Sequence, residues 1–210
     1  MIKKMHSVLS LLLCAVLMAH MVATGLLMAH IVNMRLWFII LSYMLLFILI
    51  AHLLLTFIPM LLNHADNKQK AYTRLNLRCY LQRMSGLVIV ALMHPHFSAF
   101  VKPDAIANTP WNVKLSMAFA NPGMEIIDPV PVTMKSLFAL IAMIALVLFC
   151  CVHITISIPK ALVGLGVIVE EKTLARVEKI CLVLAFAVGA FAIFGACSLA
   201  SFSGLFGGAL

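Results

Sequence analysis

Four histidines lie deep inside apolar stretches of the chain: His20, His52, His96 and His153. An ionisable side chain at membrane depth is costly, so its presence there indicates a function. The four belong to four different apolar segments. Paired imidazoles that face each other across a helix bundle are one way in which proteins hold haem iron. The residue types and their placement therefore predict two haem centres, each with two histidine ligands.

The first and third apolar segments carry polar residues on the same helical face as their histidines. Fourteen residues bring a helical side chain back to within about 40° of the same face, roughly 21 Å further along the axis. His6 precedes His20 by fourteen residues, and Gln82 precedes His96 by fourteen. Ser85 lies on the same stripe as His96. Each segment thus has a polar residue near one end and an imidazole higher up.

The second and fourth apolar segments show a related pattern. Thr56 follows His52 by four residues, and Ser157 follows His153 by four. Such hydroxyls more commonly bond local backbone carbonyls than a neighbouring ring. Lys160 follows His153 by seven residues, two turns along the same face. A cation at that position could pair with a haem propionate.

The simplest arrangement pairs His52 with His153 at an inner haem, near the cytoplasm. His20 and His96 then form the ligands of an outer haem. Several polar residues could meet the propionates of the inner haem: His6, Ser7, Gln82, Arg83 and Lys160.

Two further histidines keep the ligand assignment open. His94 is an alternative to His96 on the third segment. His30 is an alternative to His20, or a contact for a quinone headgroup. Zinc is a weaker interpretation, because only His94 and His96 have compact spacing and such neighbours rarely chelate one ion from a helix. The six cysteines lack disulfide or zinc spacing, which favours packing roles.

The elements that must position these histidines are transmembrane helices. Hydrophobic residues make up 64% of the 210 residues and charged residues only 10%, too little polar surface for a soluble domain. The chain is predicted to be an all-α integral membrane protein of one domain, 1–210, in which four of five helices form a haem-binding bundle. The five apolar runs cover roughly 7–32, 36–62, 81–101, 134–165 and 177–202. Pro159 predicts a kink in the fourth.

The net charge of +8 follows the positive-inside rule rather than a nucleic-acid-binding pattern. Basic residues concentrate before the first run, between the second and third, and between the fourth and fifth. This distribution predicts a multi-pass protein of the inner (cytoplasmic) membrane with its N-terminus in the cytoplasm and its C-terminus outside. The proline-rich stretch at about 102–133 then forms an outer loop that could cap a site.

The third segment resembles a known family. Its residues Tyr80-Leu81-Gln82-Arg83-Met84-Ser85-Gly86, leading to His96, resemble the "LQR-x-[ST]-G … H" segment of the dihaem cytochrome b membrane anchor of succinate dehydrogenases and fumarate reductases. The opening Met5-His6-Ser7 is similar to the start of the family's first helix. His153 with Gly166 resembles its fourth ligand and following glycine, and His52 falls where the second-helix ligand is expected.

The resemblance implies five helices, two haem b groups and a menaquinone-type quinone that reacts within the membrane subunit. It also implies a flavoprotein subunit with covalent FAD and an iron–sulfur subunit on the cytoplasmic face, so the dicarboxylate site of the oxidoreductase would lie on a partner. Gln82, Arg83, Ser85 and Ser7 would serve the haem propionates or the inner end of the cofactor site. The chain departs from some family members in having no carboxylate at mid-depth of its helices.

Two other interpretations remain. The chain could be the dihaem b anchor of another quinone-linked dehydrogenase or hydrogenase. It could instead be a haem-free transporter whose histidines line an ion path. The colour of the purified protein distinguishes the haem-free transporter from the dihaem anchors, because a dihaem protein is red.

Overall fold

The structure, a computed structural model, describes residues 2–29, 31, 35–62, 73–100 and 137–202. Within them, side chains are described at 4–29, 31, 40–56, 77–93, 96 and 137–201. Five α-helices account for almost all of this part of the chain: α1 Ile2–Met28, α2 Arg35–Leu62, α3 Thr73–Phe100, α4 Leu137–Leu165 and α5 Glu171–Phe202. The predicted loop at 102–133 lies outside the described residues.

Three helices begin earlier than the apolar runs predicted. α1 begins at Ile2, α3 at Thr73 and α5 at Glu171, ahead of the expected starts near 7, 81 and 177. The apolar composition of a sequence identifies only the part of a helix that is shielded from water. Backbone hydrogen bonding continues into polar turns, so these helices extend beyond their apolar cores.

The described chain contains three helices that are long and apolar enough to cross a membrane: Lys4–Met28, Leu137–Leu165 and Glu171–Ser201. A shorter apolar helical segment covers Ile40–Thr56. This part of the chain is therefore helical, with membrane-spanning character in α1, α4 and α5. Pro159 lies inside α4, which continues past it to Leu165.

The helices pack around a central group of three. α1, α4 and α5 contact one another, α2 packs mainly on α1, and α3 mainly on α4. The central core is built from aliphatic, methionine and cysteine side chains of α1, α4 and α5, with α3 contributing at its edge. A second, smaller apolar cluster around Leu13, Val16 and Ile48 joins α1 to α2.

The two helix pairs α1–α2 and α3–α4 are antiparallel. His6 near the start of α1 lies against Thr56 near the end of α2, and His20 further along α1 lies against Ser42. Gln82 near the start of α3 contacts Lys160 near the end of α4. The starts of α1 and α3 and the ends of α2 and α4 thus share one end of the bundle, called here the Lys160 end.

Two glycines let α1 and α5 approach closely. A Cβ at Gly195 would lie 2.7 Å from the carbonyl oxygen and 2.8 Å from the Cα of Gly25. A Cβ at Gly25 would in turn lie 2.8 Å from the ring of Phe191. Only glycine at this crossing allows the two backbones to meet, as at small-residue contacts between membrane helices.

Gly166 ends α4. Its φ of 78° lies in the left-handed region that glycine adopts without steric cost. Its amide donates to the Val163 carbonyl at 3.0 Å, and the Val167 amide donates to the Leu162 carbonyl at 3.0 Å. This pair of bonds is a Schellman cap, which satisfies carbonyls that the helix end would otherwise leave free.

Candidate functional site

His20 and His96 meet between α1 and α3. Their ring centroids are 6.4 Å apart and their planes are inclined by 74°. Both rings are partly buried. Metal–imidazole nitrogen bonds are about 2.0–2.1 Å long, so two imidazoles on opposite sides of one metal ion have centroids roughly 6 Å apart. The observed separation is close to this value.

The second cluster of imidazoles lies nearer the Lys160 end and contains His6, His52 and His153. The rings of His6 and His52 are 5.0 Å apart and inclined by 31°. His153 of α4 lies within electrostatic range of His52. The imidazoles of α1 and α2 therefore contact each other in this part of the bundle, and the α4 imidazole is in their vicinity.

Hydroxyl groups tie the α1–α2 side of this cluster together. Ser10 Oγ lies 3.5 Å from His52 Nδ1 and donates to the His6 carbonyl at 2.8 Å. Thr56 Oγ1 lies 3.2 Å from His6 Nε2 and donates to the His52 carbonyl at 2.7 Å. The bond from Thr56 to its own helix is the fate expected for a hydroxyl one turn beyond His52.

His153 rests against α3. Its Nδ1 lies 3.0 Å from Ser85 Oγ, and the Ser85 side chain is almost fully buried. A Cβ at Gly86 would lie 3.3 Å from His153 Cε1, so the missing side chain leaves room for the ring. Ser85 and Gly86 of α3 thus form the surface against which the His153 ring packs.

A polar network continues from His153 towards the Lys160 end. Lys160 Nζ donates to Gln82 Oε1 at 2.7 Å, and Gln82 Nε2 donates to Ser157 Oγ at 3.1 Å. The side chain of Lys160 is exposed, as is that of Arg83. Ser7 is buried against α4, where a Cβ at Gly164 would lie 2.6 Å from its Oγ.

The structure describes the side chains of five of the histidines that the sequence predicts to be functional: His6, His20, His52, His96 and His153. His20 and His96 come together, and the His6 ring lies against His52. His153 lies within electrostatic range of His52, and their pairing as ligands stays a prediction. His30 and the side chain of His94 lie outside the described part of the chain, so their roles as alternative ligands or quinone contacts stay predictions.

Sequence reasoning missed the contacts of Ser10 and Ser42. Ser42 Oγ of α2 lies 3.5 Å from His20 Nδ1, as Ser10 of α1 does from His52. A single hairpin register explains both contacts, because the antiparallel alignment that sets residue 42 beside 20 also sets 52 beside 10. That register follows from helix packing, and the sequence carries no separate signal for it.

No group of three or more His, Cys, Asp or Glu side chains that could hold a metal ion occurs among the described residues.

The chain matches no protein-family model, no curated protein and no solved structure in the comparisons with known proteins.

Proposed function

We propose that this chain is the dihaem cytochrome b membrane anchor of a succinate:quinone oxidoreductase, a succinate dehydrogenase or fumarate reductase. The observation that carries the proposal is the His20–His96 pair, whose 6.4 Å centroid separation would let both rings hold one haem. The second imidazole cluster supports a second centre, with His52 and His153 as its ligands. The resemblance of the α3 sequence to the family is the reason for proposing a succinate dehydrogenase or fumarate reductase in particular.

The proposal includes five membrane crossings. α2 runs beside α1 over the fourteen residues from Ser42 to Thr56, roughly 21 Å of helix. α3 likewise extends from Gln82, at the Lys160 end, to His96 beside His20, a similar distance. Both helices therefore follow their neighbours through most of a hydrocarbon core about 30 Å thick.

Bound haem b would supply an iron centre that accepts and returns one electron. The chain itself holds the ligands on separate helices and shields them with an apolar core. His20 and His96 would hold the outer group. His52 and His153 would hold the inner one. His96 lies eleven residues beyond Ser85 along α3, so the two sites are separated by roughly 16 Å along the bundle.

The Lys160 end provides polar groups for the carboxylates of the inner haem. Lys160 and Gln82 already share a hydrogen bond there, and Arg83 is exposed beside them in sequence. His6 and Ser7 approach from α1. A cation or amide that binds a propionate would stabilise its charge and fix the orientation of the macrocycle.

The same end is the proposed docking face for the iron–sulfur and flavoprotein subunits. Lys172, Arg176 and Lys179 are exposed on the first turns of α5. Glu170, Glu171 and Glu178 offset these three cations. The positive charge of this end therefore comes from Lys4, Arg78, Arg83 and Lys160 and from the basic residues between α2 and α3 in the sequence. By the positive-inside rule this end faces the cytoplasm. Electrons would pass between the partner and the membrane subunit at this end. A quinone would react within the bundle.

The test measures how many haem groups the protein binds when selected pairs of histidines are replaced by alanine. The chain is purified in mild detergent, and its reduced-minus-oxidised spectrum and haem-to-protein ratio are measured. We expect two haem b groups in the parent. His20→Ala combined with His96→Ala should leave one haem, because both changes affect the same centre. His20→Ala combined with His52→Ala should leave none.

His64→Ala, a histidine between α2 and α3 in the sequence, is the matched control and should leave both haems. A colourless but folded parent would refute the proposal and favour the histidine-lined transporter. The reductant identifies the enzyme. In native membranes, adding succinate should reduce the b-type haems, so that their reduced spectrum appears. Reduction by formate or hydrogen alone would instead indicate another quinone-linked enzyme.

A further inference from the structure

A serine hydroxyl from a neighbouring helix lies at Nδ1 of three proposed ligand histidines. Ser85 of α3 is 3.0 Å from His153 Nδ1. The corresponding distances are 3.5 Å from Ser10 to His52 and 3.5 Å from Ser42 to His20. The contact at His153 is a well-formed hydrogen bond, and the other two are at the long limit. In each case the same ring nitrogen faces the hydroxyl.

The direction of the hydrogen bond at His153 follows from a proton count. A serine hydroxyl has one proton to donate and lone pairs to accept with. Ser85 donates its proton to the Gln82 carbonyl, at 3.0 Å. Its oxygen also lies 3.0 Å from His153 Nδ1. When the hydroxyl donates to the carbonyl, which can only accept, its oxygen is left to accept from Nδ1–H, and the lone pair of the neutral ring is then on Nε2.

We propose that Ser85 is a positioning residue that holds His153 in its Nδ1–H form and thereby presents Nε2 as the metal-binding atom. This inference rests on the proposed function, in which His153 is a haem ligand. It gives Ser85 a different role from the propionate contact that the family resemblance implies. Ser85 acts on the metal through His153.

The surroundings of His153 support this role. Ser85 is only 2% exposed, so water does not compete for Nδ1 at that point. The neighbouring Gly86 leaves just enough room for the ring edge, because a Cβ at this position would lie only 3.3 Å from His153 Cε1. A hydroxyl and a glycine in succession on α3 thus restrict both the tautomer and the position of the ring.

The same proton count applies at His52. Ser10 donates to the His6 carbonyl at 2.8 Å, so its oxygen accepts from the ring at the longer distance of 3.5 Å. Both ligands of the inner centre would then present Nε2. Partners of this kind orient ligating histidines and raise their basicity, and their loss commonly weakens metal binding about 10–100-fold.

The experiment measures the midpoint potential of each haem and the haem affinity in Ser85→Ala. A hydrogen bond donated by Nδ1–H makes Nε2 a stronger electron donor, which stabilises the oxidised metal. Removing the acceptor should raise the potential of the inner haem, leave the outer haem at its parent value, and weaken inner-haem binding about tenfold. Ser85→Thr, which retains the hydroxyl, should restore the parent potential.

Two controls remove hydroxyls that bond their own helix. Thr155→Val acts two residues from His153 and loses a bond to the Cys151 carbonyl. Ser201→Ala repeats the serine-to-alanine change far along α5, where the hydroxyl bonds the Cys197 carbonyl. Both should leave the two potentials unchanged. An unchanged inner potential in Ser85→Ala would overturn the inference while leaving the haem assignment intact.

A haem-free readout separates the two proposals. The ¹⁵N shifts of a neutral imidazole distinguish the Nδ1–H form from the Nε2–H form. In haem-free protein labelled with ¹⁵N-histidine, His153 should be in the Nδ1–H form, and Ser85→Ala should shift it towards a mixture. A dominant Nε2–H form in the parent would overturn the inference, whether or not the protein binds haem.

Discussion

Substituting Gly195 with alanine tests the crossing of α1 and α5. The added Cβ would lie 2.7 Å from the Gly25 carbonyl oxygen and 2.8 Å from its Cα. These are backbone atoms, so no side-chain rotation relieves the contact. Ordinary contact begins near 3.4 Å, which requires the helices to separate locally by about 0.7 Å, the difference between 3.4 and 2.7 Å.

Two opposing effects determine the size of the change. Overpacking of this kind costs about 1–3 kcal/mol. Alanine in place of glycine inside a helix contributes about 0.5–1 kcal/mol in the opposite sense. We therefore expect Gly195→Ala to lower the free energy of unfolding by roughly 0–2.5 kcal/mol. Because α1 also carries His20, we further expect loss of the outer haem before the inner one on heating.

Reversible unfolding in detergent micelles, followed by the loss of helical circular dichroism, measures the change. Ala187→Gly is the control, since Ala187 is exposed on the same helix and reports the helix-propensity contribution alone. A Gly195→Ala stability above that of the parent would refute the close-crossing argument.

Three further changes test other contacts. Gly166→Ala should lower the free energy of unfolding by about 1 kcal/mol in the same assay, because its φ of 78° strains alanine; an equal loss in Gly166→Asn would contradict that reason, since asparagine adopts this region more readily. Glu178→Gln removes the carboxylate that accepts from Arg78 Nη2 at 3.0 Å between α5 and α3. Since the pair is exposed, it should cost under about 1 kcal/mol, and a loss that persists at high salt would argue against an ionic contribution. Gln82→Leu removes the amide that donates at 3.1 Å to Oγ of the buried Ser157 and should cost about 1–3 kcal/mol; unchanged stability would contradict this cost.

The helices were largely predictable from the sequence. Long apolar runs mark the apolar parts of α1, α2, α3, α4 and α5, and the structure has one helix over each. The starts of α1, α3 and α5 were not predictable from hydropathy, since their first turns are polar. The Gly166 cap was visible only as a glycine, and its Schellman bonds required the backbone.

The site was predictable in part. Helical periodicity related His6 to His20 and Gln82 to His96 on single helices, because residues on one helix have a fixed geometry. It could not show that Ser42 lies beside His20. Contacts between helices depend on rotation and on the alignment of one helix with another, and neither is encoded in the spacing within a segment.

The sequence by itself determined which segments are helical and apolar and which histidines lie within them, since both follow from local composition and the period of the helix. Only the tertiary structure decided that His20 faces His96 and that Ser85 meets Nδ1 of His153. The second contact depends on Gly86, where the absence of a side chain leaves room for the His153 ring. The first depends on how the helices are rotated and aligned, which the spacing within one segment does not encode.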